Sequence, residues 1–282
     1  MPLRSNARPL GTMVVYGRRG DVLDIDLGLA ERLGARSLEI LPDWRHLADA
    51  SELATRVGDR GLSIHSAHGC WGGQSIRAER VDLGHPDSQV RQDSIDDLKR
   101  CLDWLAEAGG KCLVVHPGGL SDPSSFDTRR AALAQALEAL AEHAHLTGGI
   151  ICVENMPPGV HPGSRMADLA ELLETLQRPE LALAIDTGHA NLTSTAATET
   201  RAAGSLLRTT HVHDNNGRSD THDPPGLGTV DWMAWRESLD EVGYDGPVML
   251  ECIRHLREHP ERIDDALLAL LSQLVRRGEG RD

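Results

Sequence analysis

Short apolar runs alternate with longer segments of helical period along the whole chain. Eight runs read as strands: MVVYG from Met13, SLEIL from Ser37, LSIHS from Leu62, CLVVH from Cys112, IICVEN from Ile150, LALAID from Leu181, TTHVHD from Thr209 and PVMLEC from Pro247. Between them apolar residues recur every three or four positions, as in DSIDDLKRCLDWLAEAGG and RRAALAQALEALAEHA, the period of a helix with one buried face. Gly109–Gly110 and Gly148–Gly149 stand where two such helices end and the next strand begins. Strands and helices alternating in this way predict an α/β fold, one (β/α)8 barrel over residues 1–282, with IDDALLALLSQLVRR as the closing helix. A doubly wound open sheet is the alternative, but no GxGxxG follows the first strand. No linker, low-complexity tract or break in composition divides the chain.

The polar residues gather at one end of these strands. SIHSAH finishes in His65 and His68, LVVHPGG in His116, and ICVEN in Glu154. LAIDTGH carries Asp186 and His189, THVHD carries His211, His213 and Asp214, and VMLEC carries Glu251. Six of the eight strands therefore finish in a side chain able to bind a metal, at the carboxyl end where barrel enzymes keep their sites. Carboxylates and imidazoles converging without a cation would cost several kcal/mol each, roughly, so the convergence predicts a metal. Carboxylate and imidazole donors without a thiolate suit Mn²⁺, Co²⁺, Zn²⁺ or Mg²⁺ better than a soft metal, and Mn²⁺ is the ion expected first. Strand alternation turns Cys152 to the same side as Glu154, and Cys252 toward the helices. His46, His85, His143, His145, His255 and His259 fall on predicted helices or surface loops, where an ordinary structural role is expected.

Composition narrows the function. Hydrophobic residues make up 40% of 282 positions and aromatics 3%, so Leu, Val, Ile and Ala must build the core. The first twenty residues carry no apolar segment of signal-peptide type, and no apolar run approaches the eighteen or so residues of a membrane span. The five cysteines are scattered without a CxxC pair, which predicts reduced, buried thiols in a cytoplasmic protein. With a net charge of −14 and two lysines, the chain has no general attraction for nucleic acid or an anionic membrane. Arg18, Arg19, Arg77, Arg80 and Arg218 are the candidates for a local basic patch near the mouth. Gly118, Gly119 and Gly217, with Arg218, are a weak signal for a phosphate cradle.

The motifs VVHPGG, VENMP, IDTGHANL, HVHDN, PPGLGTVDW and MLE, in this order, resemble those of the xylose isomerase-like barrel superfamily. That superfamily includes sugar isomerases, ketose 3-epimerases and endonuclease IV, and the likeness runs from SLEIL to VMLECI. The resemblance implies a metal held by Glu154, Asp186, His211 and Glu251. His211 is preferred over His213 because the family's ligand His has an acid three positions later, here Asp214. It also implies that Glu154 and Glu251 are the catalytic acid/base pair, exchanging a proton at the carbon beside a metal-polarised carbonyl through an enediolate. Arg218, His189 and His68 are the implied substrate-binding residues. The endonuclease branch adds further metals on positions matching His68, His116, His189, Asp220 and His222, all present here; isomerase-like relatives use such residues on substrate hydroxyls. The leading expectation is a metal-dependent isomerase or epimerase of a sugar, sugar phosphate or keto-polyol. An abasic-site endonuclease and a lyase or dehydratase on a keto-cyclitol or keto-glycoside are the alternatives. The expected partner is a small sugar-like molecule, not nucleic acid or membrane, with a homo-oligomer possible in this family.

Overall fold

A computed structural model describes residues 7–17, 22–46, 49–72, 76 and 80–278. Eight parallel strands, β1 (Leu10–Tyr16), β2 (Ser37–Pro42), β3 (Ser63–His68), β4 (Cys112–Val115), β5 (Ile150–Glu154), β6 (Leu181–Asp186), β7 (Leu207–His211) and β8 (Val248–Leu250), form one sheet in the order β7-β6-β5-β4-β3-β2-β1-β8. Pairing of Leu10, Gly11 and Thr12 with Val248, Met249 and Leu250 joins the first strand to the last. A bridge between Val212 and Leu250 closes the other seam, so the sheet is a barrel rather than an open doubly wound sheet. β1 starts at Leu10, ahead of the apolar run at Met13, because its first three residues pair with β8; a Cβ on Gly11 would lie 2.8 Å from Met249 Sδ.

Period-two alternation sorts the barrel residues into two populations. Cys112, Val114, Cys152, Ala182 and Ala184 fill the interior, small enough to pack where eight strands converge. Leu113, Val115, Ile151, Val153, Leu183 and Ile185 face out and join the main core with the surrounding helices. Cys152 thus lies on the same side as Glu154, one layer below it, and Cys252 joins the outer core as expected.

The two longest helices form where the periodicity predicts them. Ser88–Glu107 is capped by Asp87, whose carboxylate accepts from the Gln89 N–H, and Phe126–Thr147 ends at Gly148 in the left-handed conformation, φ 70°. Helix Asp265–Leu274 follows β8 and is capped by Asp264.

Candidate active site

The inward alternation of β5, β6 and β7 carries Glu154, Asp186 and His211 to the carboxyl mouth of the barrel. Glu251 follows β8, where its N–H bonds the Val212 carbonyl at 3.0 Å, so the closing seam sets it beside His211. One donor atom from each of Glu154, Asp186, His211 and Glu251 lies within 4.8 Å of the others. His211 Nδ1 stands 3.0 Å from Glu154 Oε1 and 3.1 Å from Glu251 Oε2. Glu154, Asp186 and His211 are buried at 1%, 0% and 0% exposure. Among the described residues, Glu154 Oε2 and Glu251 Oε2 are buried without a well-formed hydrogen bond, although the His116 and His211 rings stand 3.3 and 3.1 Å from them. Such carboxylate oxygens beside buried imidazole make this donor set fit a divalent cation of hard or borderline character.

A residue that strand-end reasoning missed stands beneath this group. Glu39, midway along β2 and fully buried, bonds His211 Nε2 through Oε1 at 2.8 Å and accepts from Ser66 Oγ at 2.5 Å through Oε2. The contact with Ser66 depends on a bulge: β2 and β3 pair Leu38 with Ile64 and then Glu39 with Ser66, leaving His65 unpaired in the ladder. His65 is not among the residues gathered at the metal-competent cluster; its side chain lies beside Cys112. The signal that would have found Glu39 is its charge inside an apolar run that a parallel sheet buries on both faces, since a buried carboxylate needs a partner.

The outer residues gather in two flanking groups. On one side, His68 Nε2 and His116 Nε2 approach Glu154 Oε2 at 3.6 and 3.3 Å. On the other, His213, Asp220 and His222 form a second compact set, with the His213 and His222 rings stacked at 4.0 Å. His213, set aside in favour of His211, reaches Asp186 Oδ2 at 3.0 Å and takes the place in that set expected of His189. His189 remains close, its Nε2 3.2 Å from Asp220 Oδ2 and its Nδ1 2.8 Å from the Asn155 carbonyl. Asn155 also exchanges two bonds with the Asp186 backbone, at 2.7 and 3.1 Å, lacing the ends of β5 and β6 together. Asp214 does not join the site. Its carboxylate accepts from Asn215, Gly226, Val230 and the Trp232 indole, which fastens the PPGLGTVDW turn onto the barrel.

The electrostatics call for positive charge. Burial alone would push the Glu154 carboxyl up, but His211, His116 and His68 outweigh it and hold the group well below the usual range. Burial likewise opposes charge on His189 and His222, yet Asp186 and Asp220 at the first, and Asp220, Glu251 and Asp186 at the second, raise each to about 10. His211 is raised well above its ordinary value against its own burial, chiefly by Glu251, Glu39 and Glu154. Protonated imidazoles thus supply the charge that a bound cation would bring.

Arg218 is exposed on the loop after β7, its N–H held by Asn216 Oδ1 at 2.9 Å. Arg80 is 3.1 Å from Asp82, and Arg18, Arg19 and Arg77 lie outside the described residues. Near Gly118 and Gly119, the single carboxylate of Asp82 is shared between Arg80, at 3.1 Å, and Arg129, at 2.7 Å.

A family profile described as "Xylose isomerase-like TIM barrel" matches residues 27–273. The chain belongs to this xylose isomerase-like family. Among its relatives is an uncharacterized protein of Methanocaldococcus jannaschii, 27% identical over 58% of this chain and 58% of that protein's length. The 3-dehydro-D-guloside 4-epimerase of Escherichia coli is 25% identical over 71% of this chain and 76% of that one. Among solved structures, a D-tagatose 3-epimerase-like protein shares the fold with a TM-score of 0.75 at 22% identity, covering 94% of this chain and 99% of that one. Homologues with a named activity are sugar epimerases. Among the described residues, no helix is long and apolar enough to cross a membrane.

Proposed function

We propose that this protein is a divalent-metal-dependent epimerase or isomerase of a keto sugar or related keto-polyol. The observation that carries the reading is the pair Glu154 and Glu251, flanking His211 Nδ1 at 3.0 and 3.1 Å, each with a buried carboxylate oxygen that makes no well-formed hydrogen bond among the described residues. Glu154, Asp186, His211 and Glu251 would hold the ion, Mn²⁺ by preference or Co²⁺, Mg²⁺ or Zn²⁺. When bound, the ion would polarise a carbonyl and the hydroxyl beside it. One glutamate takes the proton from the carbon next to that carbonyl, and the other returns a proton from the opposite face. The two carboxyls exchange protonation states in each turnover, so the reverse reaction or exchange with water restores them. β5 and β8 lie three strands apart around the barrel, which suits approach from two sides of a substrate.

His68, His116, His189, Asp220 and His222 would hold substrate hydroxyls or further ions, and Arg218 would contact substrate from the rim. Five buried free thiols fit a reducing compartment such as the cytoplasm.

Deuterium uptake from solvent into a ketose, followed by NMR with Mn²⁺ present, tests the reading. Glu154→Gln and Glu251→Gln should each lower the rate by about 10²–10⁴-fold while the fold persists. Either variant retaining more than about a tenth of the rate would remove that residue from the acid/base role. Metal-dependent cleavage of abasic-site DNA, lost in Glu154→Gln, would replace the reading with the nuclease alternative.

A further inference from the structure

Among the described residues, two cavities at the mouth share no lining residue. One, of 540 Å³, contains Glu251, Asp220 and His222. The other, of 340 Å³, begins at His116, whose Nε2 is 3.3 Å from Glu154, and extends away from the carboxylates. Its walls are Trp71, Leu120, Met156 and Val160, with Arg80 at the edge. Two of these walls are fixed. Met156 and Val160 are buried at 8% and 4%, and a Leu120–Val160 bridge together with the Ser121 N–H bond to Gly159 at 2.9 Å pins the lip. The Trp71 ring is set edge-on to His68 at 4.6 Å, which places an aromatic wall beside the site.

A bare sugar makes poor use of such a wall. Hydroxyls pressed against leucine, methionine and valine lose water without gaining partners. Arg80, half exposed and 3.1 Å from Asp82, is the one Lys or Arg among these lining residues and stands at the edge, away from the apolar wall. Leu120 is 75% exposed at the lip, an apolar side chain that a ligand would cover.

We propose that this second cavity is an aglycone subsite and that the substrate is a keto glycoside bearing an aromatic group. The sugar lies at the carboxylates between the two cavities, and the aromatic group packs along Trp71, Leu120 and Met156. This rests on the keto-sugar reading above, but the subsite is testable by binding alone.

The test uses the full chain loaded with Mn²⁺ and two probes, the 4-nitrophenyl and methyl 3-keto-glucosides, with Kd measured by calorimetry. The wild type should bind the aryl probe at least about tenfold more tightly, the discrimination expected of one buried apolar group. Leu120→Asp should abolish that preference and leave the methyl probe's affinity unchanged. Leu146→Asp, at an 81% exposed leucine on the helix preceding β5, is the control and should keep the preference. Equal affinity of the wild type for both probes, or a preference that survives Leu120→Asp, overturns the proposal. An aryl preference lost in Leu120→Asp, without deuterium exchange into either probe, upholds the subsite and rejects the epimerase reading.

Discussion

At the scale of single residues, His211 is the pivot of the site. A ring nitrogen that ligates a metal must be unprotonated, so Nδ1, which faces Glu154 and Glu251, leaves the proton on Nε2, where it donates to Glu39 at 2.8 Å. A buried carboxylate behind an imidazole fixes the ring and makes its other nitrogen more basic. Glu39→Gln keeps an acceptor for that proton but removes the charge. It should weaken Mn²⁺ binding by about 10–100-fold, read by competition with a chelating dye. Unchanged affinity in a folded variant would reduce Glu39 to a packing role. The sequence made the other members of the group visible because each stands at a strand's carboxyl end, where position alone suggests chemistry. Glu39 stands in mid-strand, and its neighbour in space, His211, is 172 residues away in the chain. Nothing local in SLEIL points to that pairing.

At the scale of elements, strand order and facing followed from alternation, whereas ladder slips did not. The shift at Leu38/Glu39 puts Ser66 rather than His65 on Glu39, and the shift at Leu183/Ala184 pairs Ala184 with Thr209, setting the register in which Asp186 meets His211. Such bulges arise from packing across the sheet, which a single strand's sequence does not encode. Close backbone approaches were equally hidden. In IDTGH, a Cβ on Gly188 would overlap the His213 ring, so only glycine lets the short helix after β6 pass beneath that imidazole. Gly188→Ala should therefore cost about 1–3 kcal/mol, the range for overpacking, and separate His213 from Asp186. Gly58→Ala, where an added Cβ meets nothing within 4 Å at a helix end, is the comparison and should be neutral or slightly stabilising. Equal melting temperatures for the two variants would show that the turn relaxes around the extra methyl.

At the scale of the molecule, a chain of net charge −14 gathers several carboxylates at one barrel mouth, and the pH dependence of its stability should register that choice. His189 and His222 rise from 6.5 to about 10 in the folded state, with burial opposing and Asp186 and Asp220 driving the change. A raised pKa contributes stability that is fully present below the unfolded value of 6.5 and is lost as pH climbs through about 10. Asp186 and Asp220 are shifted downward, so their contribution is present above the unfolded value of 3.8 and disappears only in strong acid. Metal-free protein should then melt at its highest temperature near pH 5–6 and at progressively lower temperatures up to pH 10. Saturating Mn²⁺ should act in the opposite sense. The ion competes with protons for imidazole and carboxylate, so its stabilisation grows as pH rises, reaching about 2.7 kcal/mol wherever the free ion stands at 100 times its Kd. Scanning calorimetry from pH 5 to 9.5, with Mn²⁺ and with chelator, should give two melting curves that diverge as pH increases. Parallel curves would mean that the histidines at the mouth do not share their proton equilibrium with the ion, and that the cation site lies elsewhere.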